Sequence, residues 1–214
     1  MSKLKVMLVD DHAVVRVGFK LLLQACDDIE VVAEADSGEA ACQTCEAAAP
    51  DVVVMDIAMA GMGGIEAIKR LTAKDSRLRI LALSAHDDIS HPMRALQAGA
   101  MGYLSKRSAP EVLIDAIRAL AKGERYVDAK IAQRIALQAI GGDTGPVEKL
   151  SAREFEVFVQ LARGQSVAQI SETLKLSNST VGTHLYNIKQ KLGLGNQAEM
   201  TLLALRHGLI HLAE

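Results

Sequence analysis

The sequence predicts an α/β protein: a doubly wound parallel sheet of five strand–helix units, followed by a separate all-helical module. Three observations support this prediction. From residue 5 to about residue 122, short runs rich in Val, Ile and Leu alternate with longer segments of helical period. The densest cluster of glycine and proline, residues 141–146, comes next. From residue 150 onward the sequence shows no strand-like alternation.

Each predicted strand is a short aliphatic run bounded by turn residues. The five predicted strands are Lys5–Val9, Val31–Ala35, Asp51–Met55, Arg79–Leu83 and Gly102–Leu104. The helices that follow them are predicted at Ala13–Ala25, Gly38–Ala48, Gly64–Thr72, Pro92–Ala98 and Pro110–Ala121. Proline is favoured in the first turn of a helix and glycine just after its end, and the placement of Pro110 and Gly99 fits this rule.

One more helix is predicted at Ala129–Ile140, and the glycine and proline cluster after it is the predicted linker. The predicted domains are therefore residues 1–122, residues 123–149 as a helix with linker, and residues 150–214. The last domain is predicted to contain four helices: Ala152–Ala162, Val167–Leu174, Ser179–Leu192 and Gln197–Arg206.

Composition excludes several classes of protein. The chain has 214 residues with 24 Lys+Arg against 26 Asp+Glu, and no uncharged apolar stretch approaches the about 20 residues that a membrane span needs. No export signal is visible, and the odd count of three cysteines fits a reducing cytosol, so a cytoplasmic location is expected. Cys42 and Cys45 are candidates for a redox or zinc half-site, but a second pair is lacking, and small buried side chains are the preferred interpretation.

Polar residues follow four of the predicted strands, where a ligand site of this fold class forms. Asp10 and Asp11 follow the first strand, Asp56 the third, Ser84 the fourth and Lys106 the fifth. In a flavodoxin-like strand order, 2-1-3-4-5, these side chains face one crevice. Clustered carboxylates suit Mg²⁺. The set predicts a phosphoryl acceptor, with Asp56 as nucleophile, Mg²⁺ neutralising the incoming oxygens, and Lys106 and Ser84 holding the others.

Rival functions of this fold class fit the same residues less well. A single Asp after a strand is also what a helix N-cap requires, so the prediction depends on the whole set. No G-x-G-x-x-G follows the first strand and no G-x-x-x-x-G-K-[ST] occurs, which excludes dehydrogenases and P-loop proteins. The acidic Asp10 and Asp11 would repel a flavin phosphate, which disfavours an electron carrier.

The helical module contains a pattern typical of a helix-turn-helix. Residues 168–174 and 179–188 are separated by a short polar turn, and apolar residues recur at three- and four-residue spacing along both segments. The second segment presents polar residues on its opposite face, which suit base edges and phosphates in a major groove. The candidate DNA-binding residues are Ser179, Thr180, Gly182, Thr183, Tyr186, Asn187, Lys189 and Lys191. Spacing alone also allows a helical protein-interaction domain.

The motifs Val9–His12, Met55–Ile57, Leu83–His86 and Gly99–Lys106 resemble the receiver domain of two-component response regulators. This resemblance implies that a histidine kinase phosphorylates Asp56. It further implies that Asp11, Asp56 and the backbone carbonyl of Ala58 bind Mg²⁺, that Asp10 assists through water, and that Ser84 and Tyr103 form a switch.

Leu150–Glu154, Thr180–His184, Lys191–Gly193 and His207–Ile210 are similar to the LuxR-type helix-turn-helix, so the whole chain resembles the NarL/FixJ family of response regulators. The resemblance implies a homodimer on DNA, with dimer contacts from the last helix. Family members often carry Lys where this chain has Gly182 and Arg where it has Gln197.

The expected function is a phosphorylation-activated DNA-binding transcriptional regulator rather than an enzyme, with a sensor histidine kinase and a double-stranded operator as partners. Activation by release of the helical module and activation by receiver dimerisation are both open. Two alternatives remain: a receiver that acts through protein contacts without DNA, and a Mg²⁺-dependent phosphohydrolase that uses Asp56.

Overall fold

A computed structural model of the chain describes residues 3–85, 90–129, 131–133, 135, 146–207 and 209–210. The chain divides into two units, residues 1–87 with 91–134 and residues 88–90 with 135–214, and each is described by itself. Residues 141–145 of the predicted linker and residues 136–140 of the helix predicted before it lie outside the described residues. The domain boundaries drawn from the sequence therefore stay predictions.

The first unit is built on a parallel sheet with the order β2-β1-β3-β4-β5-β6. This confirms the predicted order of the first five strands and adds a sixth strand at one edge. The strands are β1 (Leu4–Val9), β2 (Ile29–Ala35), β3 (Val52–Asp56), β4 (Arg79–Ser84), β5 (Gly102–Ser105) and β6 (Tyr126–Val127). A strand of two residues is too short to produce an alternating pattern, so β6 was not predicted.

Five helices follow these strands, close to their predicted bounds: α1 (Ala13–Gln24), α2 (Gly38–Ala48), α3 (Gly64–Lys74), α4 (Ser90–Gln97) and α5 (Pro110–Ala121). Local capping explains several ends. The Ser37 side chain accepts a hydrogen bond from the backbone N–H of Ala40, which starts α2. Pro110 lies in the first turn of α5, where its missing N–H costs nothing.

The sheet is buried on both faces, as its aliphatic strands predict. Every residue of β3 is buried. Alternate residues of neighbouring strands, among them Leu8, Val54 and Leu81, pack with α5 residues such as Ile117 in one core cluster. Two layers of helix thus exclude water from the sheet, and its polar strand ends lie at one edge.

The strand register aligns the carboxyl ends of β1, β3, β4 and β5 at one edge of the sheet. Val9 at the end of β1 pairs with Met55, and Asp56 at the end of β3 pairs with Leu83. Ser84 at the end of β4 pairs with Ser105. The residues that follow β1 and β5 therefore project beyond the same edge as Asp56, which is where the sequence placed the site.

The second unit contains a short 3₁₀ turn, Pro146–Lys149, and four helices with the predicted bounds to within one residue: α6 (Ala152–Ala162), α7 (Val167–Leu174), α8 (Asn178–Leu192) and α9 (Gln197–Arg206). Each helix begins at a capping side chain, from Ser151, Ser166, Ser177 and Asn196 in turn. Phe155, Phe158, Ile170, Val181 and Ile188 are among the buried residues of its core. The α7–turn–α8 pair has the short turn expected of a helix-turn-helix.

Among the helices of the described residues, none combines the length and the apolar character needed to cross a membrane.

Candidate functional site

The carboxyl edge of the sheet holds a buried acidic crevice. Asp10 follows β1 and is 3% exposed, while Asp56 ends β3 and is 1% exposed. The side chains of Asp10, Asp11, His12 and Asp56 each offer a ligand atom, and these atoms lie within 4.8 Å of one another. The structure thus brings together the three carboxylates that the sequence singled out.

Lys106 joins two of these carboxylates. Its Nζ lies 2.6 Å from Oδ2 of Asp10 and 2.8 Å from Oδ2 of Asp56. The backbone N–H of Lys106 donates to the carbonyl oxygen of Ser84 at 2.7 Å, so strand pairing fixes where this side chain starts. One cation, whose side chain is 12% exposed, therefore offsets part of the charge of two buried anions.

The electrostatics of the crevice follow from burial and from this pairing. Burial raises the pKa of Asp56, although the ammonium group of Lys106 and the N–H of Ala58 oppose the rise. Burial alone would lower the pKa of Lys106, but Asp56 and Asp10 outweigh it and raise the pKa. Lys106 consequently carries its positive charge at neutral pH.

The acidic donor set fits Mg²⁺, which prefers oxygen ligands and water. The backbone N–H of Ala58 donates to Oδ1 of Asp56 at 3.0 Å, and the N–H of Ala60 reaches Oδ2 of Asp11 at 3.4 Å. These contacts hold the loop after β3 close to the carboxylates. The residues assigned to Mg²⁺, including Ala58 through its carbonyl, therefore share one small region.

That loop depends on glycine. A Cβ atom on Gly64 would lie 2.0 Å from the carbonyl oxygen of Asp56, so the first turn of α3 approaches the end of β3 as closely as only glycine allows. Gly61 and Gly63 have φ angles of 72° and 74°. Glu39 of α2 accepts a hydrogen bond from the N–H of Met62 at 2.8 Å. The loop thus presents Asp56 on a fixed backbone.

The two predicted switch residues are both buried. Ser84 is 0% exposed at the end of β4, and Tyr103 is 1% exposed on the adjacent strand β5, where it pairs with Ala82. The structure thus places the two residues of the predicted switch inside the core, on neighbouring strands. His86, quoted in the family motif, lies outside the described residues.

The polar face of α8 is open to solvent. Ser179, Thr180, Thr183 and Tyr186 are exposed, with Tyr186 at 63%, while Gly182, Asn187 and Lys189 are half-buried. The buried side of the helix carries Val181 and Ile188. The amphipathic division predicted for α8 is therefore present, and this face is the candidate nucleic-acid interface.

Two residues near that face make contacts within the unit. Lys191 Nζ lies 2.5 Å from Oε2 of Glu154, a carboxylate that is only 4% exposed and belongs to the N-terminal capping box of α6. Gln197 donates from Nε2 to the carbonyl oxygen of Leu161 at 2.8 Å. Both side chains tie helices together, and neither contact was predicted.

Sequence reasoning also missed two residues that support the acidic crevice. Arg16 donates to the backbone carbonyl oxygen of Asp10 at 2.6 Å, and Glu39 holds the loop after β3. Both are long side chains that reach from a helix to a loop or strand end, and no local pattern indicates such contacts. His12 was quoted only as part of a motif, although its position beside two aspartates was a usable signal.

The two cysteines of α2 differ in burial, and only Cys45 is a buried side chain as the preferred interpretation expects. Cys45 is buried and Cys42 is half-buried, and burial raises the pKa of both thiols. Among the described residues, the acidic crevice is the one group of three or more metal-ligating side chains, so the pair has no third ligand of that kind there.

Comparison with known proteins identifies a family domain in each unit. Residues 6–118 match the response regulator receiver domain, and residues 148–204 match the bacterial regulatory proteins of the luxR family. The chain is 41% identical over 208 residues to response regulator UvrY of Escherichia coli K12, covering 96% of this chain and 95% of UvrY. It is 37% identical over 209 residues to response regulator GacA of Pseudomonas syringae pv. syringae, covering 97% and 98%.

A solved structure supports the same fold. The chain is similar to RcsB from Salmonella enterica serovar Typhimurium bound to a promoter in the presence of the phosphomimetic BeF₃⁻, with 25% identity and a TM-score of 0.64. The match covers 94% of this chain and 98% of that one.

Proposed function

Because the chain belongs to the NarL/FixJ family of response regulators, which join a receiver domain to a LuxR-type DNA-binding domain, we propose that a sensor histidine kinase phosphorylates Asp56 and thereby controls operator binding. The observation that supports this most strongly is the buried Asp10–Lys106–Asp56 arrangement, with Lys106 Nζ 2.6 Å from Asp10 and 2.8 Å from Asp56. An aspartate that only capped a helix would not require a second buried carboxylate and a shared lysine beside it, whereas a phosphoryl acceptor uses both.

In the proposed reaction, a carboxylate oxygen of Asp56 attacks the phosphorus of a phosphohistidine. An O–P bond forms at Asp56, the N–P bond breaks, and the imidazole of the kinase takes the leaving electron pair. Mg²⁺, held by Asp11, Asp56 and the Ala58 carbonyl with Asp10 acting through water, would neutralise charge on the phosphoryl oxygens. Lys106 lies within contact of Asp56 and pairs with those oxygens.

The response to phosphorylation is assigned to Ser84 and Tyr103. Both are buried on adjacent strands, so a hydroxyl shift at Ser84 changes the packing around Tyr103. The charge added at Asp56 thus acts on the buried packing around Ser84 and Tyr103. The proposed consequence is dimerisation on a two-fold operator. The cytoplasm, where the three free cysteines stay reduced, is the proposed compartment.

The proposed operator contacts use α8. Ser179, Thr180, Gly182, Thr183 and Tyr186 lie on its accessible face and are assigned to base edges and phosphates. Asn187 and Lys189 extend this face along the helix. Lys191 contributes mainly by fixing the end of α8 through Glu154, since its ammonium group is already paired.

One observation favours a second candidate, a receiver that acts by protein contact alone. Helix α8 carries two lysines, and one of them, Lys191, is paired with Glu154, while Gln197 bonds to Leu161. Few cations then remain on α8 for phosphates. Binding to duplex DNA that weakens as salt rises supports the DNA-binding regulator. If the phosphorylated chain does not bind duplex DNA at all, the receiver that acts by protein contact is supported instead.

The experiment that tests the phosphoacceptor is direct. The purified chain is incubated with Mg²⁺ and acetyl phosphate beside the variant Asp56→Asn, and intact mass and oligomeric state are measured together. One added phosphoryl group, absent from the variant and accompanied by a shift toward dimer, is the expected result. An unmodified chain, or equal modification of Asp56→Asn, contradicts the proposal. Turnover of small phosphoesters would instead indicate a phosphohydrolase.

A further inference from the structure

His12 forms the outer wall of the acidic crevice. Its Nδ1 atom lies 2.9 Å from Oδ1 of Asp11 and 3.2 Å from Oδ1 of Asp10. The side chain is 61% exposed, whereas those of Asp10 and Asp11 are 4% and 11% exposed. The imidazole thus stands between solvent and the two carboxylates, and the proposed phosphoryl transfer gives it no role.

The backbone holds His12 in this place. Its N–H donates to Oδ1 of Asp10 at 2.8 Å, and the residue occupies the N-cap position of α1 with an extended backbone. The side chain makes no capping hydrogen bond to that helix. An imidazole that neither caps the helix nor packs in the core is directed instead at a cluster of carboxylates.

The chemistry of this grouping differs from that of three carboxylates alone. Ligand atoms of Asp10, Asp11, His12 and Asp56 lie within 4.8 Å of one another, which adds one nitrogen donor to an oxygen set. Mg²⁺ gains little from nitrogen because it prefers oxygen ligands and retains water. Co²⁺, Ni²⁺ and Zn²⁺ bind imidazole well and follow the Irving–Williams order at mixed nitrogen and oxygen sites.

We propose that His12 is a ligand that determines metal preference: its imidazole strengthens the binding of Co²⁺, Ni²⁺ or Zn²⁺ to the crevice and leaves that of Mg²⁺ nearly unchanged. The inference rests on the proposed function, because it takes the carboxylates around Asp56 as the metal site of the phosphoacceptor. It adds that this chain is sensitive to transition metals through a residue outside the phosphoryl-transfer machinery.

A simpler role for His12 predicts a different result. If the ring only orients Asp11 through the 2.9 Å contact, its removal weakens every divalent ion to a similar extent. A ligand role weakens only the ions that accept nitrogen. Comparing Mg²⁺ with Ni²⁺ and Co²⁺ on one variant therefore separates a ligand from a positioning residue.

The test uses the full chain at a pH of about 8, where an unperturbed imidazole is neutral. Calorimetric titrations with Mg²⁺, Ni²⁺ and Co²⁺ compare the natural chain with His12→Asn, which retains a good N-cap residue for α1. His207→Asn, which removes an imidazole from the other unit, is the matched control. Asp56→Asn removes one of the crevice carboxylates, so the binding heat that is lost in this variant belongs to the crevice.

We expect His12→Asn to weaken Ni²⁺ and Co²⁺ binding about tenfold or more and to leave Mg²⁺ binding within about twofold. Nitrogen coupling in the spin-echo spectrum of bound Cu²⁺ or Co²⁺ should be lost in His12→Asn and retained in His207→Asn. These readouts do not depend on phosphorylation.

If His12→Asn loses affinity equally for Mg²⁺ and Ni²⁺, or loses affinity for neither ion, the ligand role of His12 is overturned while the proposed function stands. Absence of any binding that depends on Asp56, for Mg²⁺ as well as for Ni²⁺, overturns the inference and the Mg²⁺ part of the proposed function together. The two failures are therefore distinguishable.

Discussion

The acidic crevice and the polar face of α8 use their polar residues in opposite ways. In the crevice, Asp10 and Asp56 are buried, and both contact the ammonium group of Lys106. On α8, residues such as Thr183 and Tyr186 are exposed and directed at solvent. The crevice is organised by contacts between distant segments, whereas the hydroxyl groups of the α8 face bond only to nearby positions of their own helix and cap.

This difference predicts where substitutions act. A change in the crevice alters both stability and chemistry, because buried charges and close backbone contacts have no water to compensate them. A change on the α8 face alters binding and changes stability by no more than about 1 kcal/mol. Four substitutions sharpen or break this contrast, two in each unit.

The largest effect is expected from Lys106→Met. It leaves Asp10 and Asp56 buried without their shared cation, which should lower the free energy of unfolding of the first unit by about 3 to 5 kcal/mol. Mg²⁺ should restore part of the loss by supplying positive charge. Urea denaturation with and without Mg²⁺ measures both quantities.

The matched control is Lys69→Met, since Lys69 is exposed on α3. Its effect should stay within about 0.5 kcal/mol. If Lys106→Met is as mild as Lys69→Met in the absence of Mg²⁺, the crevice does not depend on this cation and the contrast fails.

Gly64→Ala should cost about 2 to 3 kcal/mol and reduce phosphorylation of Asp56. The added Cβ would lie 2.0 Å from the carbonyl oxygen of Asp56, so the loop after β3 must shift. Gly18→Ala is the control in the same unit, because a Cβ there meets no atom within 4 Å. Thermal unfolding should separate the two variants, and similar melting temperatures would argue against the close packing at Gly64.

Glu154→Gln should destabilise the second unit by about 1 to 2 kcal/mol, because the variant weakens the bond to Lys191. Burial of Glu154 opposes its ionisation, but Lys191 and Ser151 outweigh it and lower the pKa of this carboxyl. Its ionised form therefore stabilises the unit above the ordinary carboxyl pKa, and this contribution is lost as pH falls through the lowered pKa.

Calorimetry across this pH range is the measurement for Glu154. The difference between Glu154→Gln and the natural chain should shrink as the solution becomes more acidic. Glu172→Gln, at an exposed position of α7, should show little difference at any pH. If the difference in stability between Glu154→Gln and the natural chain stays constant with pH, the assigned ion pair between Glu154 and Lys191 is contradicted.

The smallest effect is expected from Gly182→Ala, and it has the opposite sign from Gly64→Ala. Nothing lies within 4 Å of a Cβ at Gly182, so alanine should stabilise α8 by up to about 1 kcal/mol through its helix propensity. A rise in the melting temperature of the second unit checks this. A decrease would show that the α8 face is packed rather than open.

Much of this arrangement is encoded locally. Asp56, Ser84 and Lys106 directly follow or end aliphatic runs, and parallel strands place such residues at one edge. The same reasoning from apolar spacing placed Val181 and Ile188 on the buried side of α8. Here a pattern of a few residues determines the position in the fold.

The remainder depends on contacts between distant segments. The bond from Lys191 to Glu154 spans 37 residues, and the bond from Met62 to Glu39 spans 23. Such contacts are set by how helices pack, and no spacing in the sequence distinguishes these side chains from other surface charges. Strand β6 was missed because two residues make no pattern.

The most direct test of the account is the affinity of the full chain for duplex DNA before and after phosphorylation. Duplexes are first selected from random sequence by the phosphorylated chain, and binding is then measured over increasing salt, with Asp56→Asn as the control. The account predicts that phosphorylation tightens binding about tenfold or more and that log affinity falls linearly with log salt. Equal affinity for the phosphorylated chain, the unmodified chain and Asp56→Asn would contradict it.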